Sequence, residues 1–80
     1  MSHQLMLAYL RRLIHAFLIV EEELDSFSRT LTEDTLDANF QKYYHMSREV
    51  QLYRNEIKYV RKALNMPRAE LELMIDNFQH

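Results

Sequence analysis

Seven large apolar residues, Met6, Leu10, Leu13, Phe17, Val20, Leu24 and Phe27, follow one another at intervals of 4-3-4-3-4-3 residues. That alternation averages 3.5 residues, so it holds one stripe of a helix against a neighbouring helix along its whole length. A chain carrying it folds by pairing helices. The remaining composition narrows the choice further. There is no glycine and a single proline, Pro67, so the tight turns of β-hairpins and the glycine-rich loops of nucleotide folds lack their usual residues. The expected class is all-α. Eighty residues make one domain, and a chain of that size buries only about 60% of the surface its unfolded form exposes, so a second chain could share in its core.

The first helix is expected over about residues 2–28, with Ser2 as its N-cap. Three hydroxyl residues, Ser28, Thr30 and Thr32, follow Phe27, and the stretch Ser26–Thr32 reads as the connecting loop. Thr30 and Glu33 have capping-box spacing, and Thr32 precedes Glu33-Asp34, acids that a helix dipole favours in a first turn. A second helix over about 33–64 follows, its seam read as Leu36, Phe40, Tyr43, Met46, Val50, Tyr53, Ile57, Val60 and Leu64. That reading has one irregular step near Met46, where Ser47 could also turn inward. Asn65-Met66-Pro67 ends the helix, and a short third one over about 67–79 presents Leu71, Met74, Ile75 and Phe78.

The architecture that follows is a long, coiled-coil-like antiparallel hairpin with a short C-terminal helix. A loop centred near Thr30 would set Phe17 opposite Tyr44 and Leu13 opposite Arg48. Leu7, Ile14 and Leu18 widen the apolar arc of helix 1 beyond what one neighbour covers. Three covers suit that arc: helix 3 closing the core within the chain, a second copy, or a different protein.

Charge adds a polarity. Residues 21–37 hold seven acids against Arg29, and residues 42–68 hold seven bases against Glu49 and Glu56, so the hairpin is acidic at its loop and basic at its open end. Glu70, Glu72 and Asp76 would make helix 3 an acidic lid on that basic end. Arg54, Lys58, Arg61 and Lys62 recur at helical spacing on helix 2 and are the candidate contacts for an anionic partner. A nucleic-acid-binding regulator using this face is the alternative function, although the net charge of −2 opposes it.

Chemistry is harder to place. His3, His15, His45 and His80 are scattered without the i, i+3 or i, i+4 spacing of a helical metal site, and Glu21-Glu22-Glu23 cannot share one helix face. With no cysteine there is no thiolate nucleophile or disulfide, which suits a reducing compartment. The expectation is therefore a non-enzymatic protein with no metal, cofactor or small-molecule substrate. The apolar run Leu13–Val20 is too short for a membrane span of roughly 20 residues, and Glu21-Glu22-Glu23 follows it where a signal peptide would be cleaved. The cytoplasm is the expected location.

Leu52-Tyr53-Arg54 matches the three-letter signature of the mitochondrial Leu-Tyr-Arg adaptor proteins, which in that family opens the first of three helices and here falls late in the second. The size, hairpin plan and charge polarity resemble the small helical co-chaperones of bacterial type III secretion, a likeness that transfers no residue. The expected function is a protein–protein interaction module, whether adaptor, co-chaperone or regulatory subunit. It would bury an apolar helix face against another protein or its own copy, with a homo-oligomer the expected outcome. Leu7, Ile14, Leu18, Tyr44, Leu52 and Tyr59 are its expected contact residues, and on this reading Ile14→Asp should cost binding more than stability.

Overall fold

The computed structural model describes residues 2–79, which form three helices: α1 (His3–Thr30), α2 (Glu33–Ala63) and α3 (Arg68–Gln79). Their extents are 49 × 25 × 17 Å, an elongated rod.

Ser2 caps α1, its Oγ accepting from the Leu5 amide at 3.2 Å. The helix then runs through the stretch expected to be loop and ends only at Thr30. The hydroxyls do not break it because they bond back into it. Ser28 Oγ donates to the Asp25 carbonyl at 2.8 Å and Thr30 Oγ1 to the Phe27 carbonyl at 2.7 Å, while Arg29 and Asp25 pair one turn apart at 2.6 Å. Side chains satisfied in this way compete little with the helical ladder. The connector is thus two residues, Leu31 and Thr32. The capping box uses Thr32 and Thr35 instead of Thr30 and Glu33: the Thr35 amide donates to Thr32 Oγ1 at 3.3 Å and the Thr32 amide to Thr35 Oγ1 at 2.9 Å.

Contacts between the two long helices run in opposite order. Tyr9 meets Glu56 (3.2 Å), the Phe17 ring lies under Arg54 (5.7 Å) and the Phe27 ring under Lys42 (4.7 Å). This is the order of an antiparallel pair, with a register different from the expected one: Phe17 faces Arg54, not Tyr44. Leu31 and Thr32 are both extended, at φ −81°, ψ 136° and φ −122°, ψ 170°. Each carries the chain forward by about 3.3 Å past the end of α1 before α2 turns back. Residues 33–38 are accordingly all exposed.

The α1 stripe faces inward as its spacing predicts. Leu10, Leu13 and Phe17 are buried, and Met6, Val20 and Leu24 pack half-buried against them. On α2 the inward set begins at Asn39, half-buried, in place of Phe40, which is 49% exposed, and Leu36, expected in the seam, is 40% exposed because the first turn of α2 overhangs α1. The intervals from Asn39 through Tyr43, Met46 and Val50 to Leu64 then alternate 4 and 3 throughout, and the irregular step disappears. The helix is continuous past Met46 and Ser47. Asn39 Nδ2 meets its polar need within α2 by donating to the Thr35 carbonyl at 2.9 Å.

A Schellman turn closes α2. The Met66 amide donates to the Arg61 carbonyl and the Asn65 amide to the Lys62 carbonyl, both at 3.0 Å, around Asn65 at φ 55°. Asparagine tolerates this left-handed position better than most residues. The turn buries Met66 and sends α3 back along the hairpin, where Leu71, Met74 and Ile75 pack on the core. Phe78 reaches His15, with ring centroids 6.2 Å apart.

Most of the wide arc of α1 is buried within this chain. Ile14 is 0% exposed, and Leu7 and Leu18 are half-buried against the core. Ile14 is therefore a core residue and not a contact offered to a partner. Leu7 and Leu18 likewise give most of their surface to this chain. The core of Leu10, Leu13, Ile14, Phe17, Val50, Ile57, Val60, Leu64 and Met66 lies toward the open end of the hairpin, away from its loop. The lid docks through apolar side chains. Among the described residues its acids make no ion pair with the hairpin.

Candidate interaction surface

α2 turns Val50, Ile57 and Val60 into the core, so the side away from them is its solvent face. At 3.6 residues per turn, Leu52 and Tyr59, seven apart, project within about 20° of each other. They are 60% and 70% exposed. Tyr44, 45% exposed, stands further toward the hairpin loop on the adjoining strip of this face. Phe40 stacks on it at 6.2 Å and 25°, His45 meets it edge-on at 5.9 Å, and Arg48 Nη1 donates to its hydroxyl at 3.4 Å. The result is an aromatic cluster held in place by neighbours on its own helix, followed by two large isolated side chains. Phe40 belongs to this surface although its hydrophobicity suggested the seam. The strict 3-4 alternation was the signal that places Asn39 inside and Phe40 out.

The four expected cationic contacts divide into two pairs. Arg54 is held by Glu21 at 3.1 Å and lies over Phe17. Arg61 Nη1 donates to the Met66 carbonyl at 2.9 Å, bracing the turn into α3. Lys58 and Lys62 stay exposed, and neither forms an ion pair among the described residues. The four do not make one free strip, because the two arginines serve the fold.

Between α2 and α3 runs an open groove of about 310 Å³, floored by Phe17, Ile57, Leu71 and Ile75 and bordered by Lys58, Arg68 and Glu72. A second hollow lies beside α1, between His15, Ile19, Glu22 and Phe78. The histidines do not converge. His15 packs on Phe78, His45 on Tyr44, and His80 lies outside the described residues. No group of three or more metal-ligating side chains gathers among the described residues. Tyr9 is held away from its ordinary titration. Partial removal from water, then its hydrogen bond to the Glu56 carboxylate, raise its pKa above the ordinary value of 10.0. That bond ties α1 to α2 near the open end. No helix of the described residues is long and apolar enough to cross a membrane.

Searches against protein-family models, curated proteins and solved structures find no match to this chain. The reading of its surface therefore rests on its own residues.

Proposed function

We propose that this chain is a small non-enzymatic interaction module that docks the outward face of α2 against a helix of another protein or of its own copy. It would serve as an adaptor, co-chaperone or regulatory subunit in the cytoplasm. The observation that supports this reading is the exposure of Tyr44, Leu52 and Tyr59 on the side of α2 turned from the core. Tyrosine is enriched at protein–protein contacts because it offers a large, rigid, amphipathic area at small entropic cost. The contact residues kept from the sequence are thus Tyr44, Leu52 and Tyr59, joined by Phe40. Leu7, Ile14 and Leu18 are given up to the core. The absence of cysteine is compatible with a reducing compartment.

The test is a paired substitution, Leu52→Glu with Tyr59→Glu. Both side chains stand in solvent, so the double variant should keep the helix content and melting temperature of the parent while losing whatever self-association or captured partner the parent shows. Retained binding, or a variant that unfolds, would assign these residues a different role.

A further inference from the structure

We propose that the occupant of this face is a second copy of the same chain, its α2 laid antiparallel to the first across a two-fold axis near Arg48. The inference deepens the interaction-module reading and rests on it. Its basis is the order of charges along one stripe. Glu33 and Asp37 open the stripe, Phe40 and Tyr44 follow, Arg48 stands at the middle, and Lys58 and Lys62 close it. All of these are exposed, and at 100° per residue they project within an arc of about 80°.

The two charged ends cannot neutralise each other within a chain. Asp37 and Lys58 lie 21 residues apart on one continuous helix, roughly 30 Å at 1.5 Å per residue and several Debye lengths in physiological salt. Neither end has an ion-pair partner elsewhere among the described residues. An antiparallel copy supplies both at once. Pairing residues whose numbers sum to 95 or 96 sets Glu33 against Lys62 and Asp37 against Lys58, each twice by symmetry. The same register lays Phe40 beside Asn55 and Tyr44 beside Gln51 and Leu52 of the second copy, so that the Tyr44 ring meets one exposed apolar side chain, Leu52. A parallel pair would instead bring acid to acid and lysine to lysine. The antiparallel arrangement is isologous and closes at two chains. The two Arg48 side chains meet at the axis, an unfavourable contact that limits affinity and that each chain moderates by bonding Arg48 to its own Tyr44.

The test uses charge reversal and light scattering behind a sizing column over a wide concentration range. The parent chain should show a concentration-dependent dimer. Lys58→Glu with Lys62→Glu makes both ends acidic, and Glu33→Lys with Asp37→Lys makes both ends basic. Each double variant alone should dimerise at least about tenfold more weakly, and an equimolar mixture should recover the dimer, because every end then meets its opposite. Two single-cysteine reporters, possible because the chain has no cysteine of its own, check the register without charge reversal. Arg48→Cys should oxidise to a disulfide dimer and Lys62→Cys should not. A parent that stays monomeric, a mixture that recovers nothing, or cross-linking at Lys62→Cys overturns the self-pairing. The interaction-module reading is judged apart from it, since a monomeric parent that binds another protein through Leu52 and Tyr59 would refute only the second copy.

Discussion

Replacing Ile14 by alanine tests whether α3 closes the core. Ile14 is 0% exposed, in a core against which Leu71, Met74 and Ile75 of α3 also pack. Truncating a buried isoleucine removes its transfer free energy and leaves a cavity, a loss of 2–5 kcal/mol in well-packed cores. Full enclosure puts this site in the upper part of that range, at about 3–4 kcal/mol. A domain of this size has roughly 4–12 kcal/mol of stability in all, so the variant sits near the edge of folding. Urea unfolding followed by helical circular dichroism should show the midpoint falling by about 2–3 M at the m-value of a small domain, with the slope unchanged. Leu52→Ala is the matched control. It removes a similar side chain that is 60% exposed, and should change stability by no more than about 0.5 kcal/mol. A loss below about 1 kcal/mol at Ile14, or equal losses at both positions, would mean that α3 does not cover α1 and that the wide arc is free for a partner after all. The same burial reverses the expectation for Ile14→Asp. A carboxylate placed there has no polar group to receive it and should unfold the chain before binding can be asked about.

Two further outcomes follow from local geometry. Thr32→Ala removes the acceptor of the Thr35 amide at the start of α2 and should cost about 1 kcal/mol, read as a lower thermal midpoint. Thr30→Ala should cost clearly less, since Thr30 is the last residue of α1 and not a cap. Tyr9 has a folded-state pKa raised above its unfolded value, so the stabilisation tied to its neutral hydroxyl is complete below pH 10 and is lost as pH rises through the folded value. Ultraviolet titration should show a tyrosine ionising above the ordinary value, and Tyr9→Phe should abolish that late component. Five tyrosines titrating together would contradict the bond to Glu56.

The fold was legible where a regular interval carried the information. The α1 stripe needed only its 4-3 spacing, and the Asn65-Met66-Pro67 stop needed only the known tolerance of asparagine for a left-handed turn. Residue type misleads where it departs from the interval. The hydrophobicity of Phe40 points to the seam although Asn39 keeps the alternation, and Ser28 and Thr30 suggest a loop although their hydroxyls bond to carbonyls of the preceding turn. Two other features depend on chain direction in space, which spacing does not encode. The register is shifted because Leu31 and Thr32 are extended, and Ile14 is covered because the Schellman turn aims α3 back over α1. The candidate surface was half legible for the same reason. Tyr44, Leu52 and Tyr59 lie off the seam by simple counting, whereas separating Lys58 and Lys62 from Arg54 and Arg61 required knowing what stood beside each arginine.

The uneven core bears on how such a surface would work. Val50, Ile57, Val60 and Leu64 anchor the second half of α2 in the buried cluster, while no residue before Val50 in that helix is buried. The half that carries Glu33, Asp37, Phe40 and Tyr44 is held by its capping box, by Lys42 over Phe27 and by half-buried Tyr43 and Met46. Segments with little buried apolar contact open more readily than the core does. In an antiparallel pair this weakly held half lies against the well-anchored half of the second copy. Each chain then lends its rigid end to the other's loose one, and part of the interaction energy is spent on ordering a helix that its own chain leaves half-supported. That ordering limits affinity, because residues fixed on docking lose conformational freedom, so reversible pairing is the physical expectation for a face built this way.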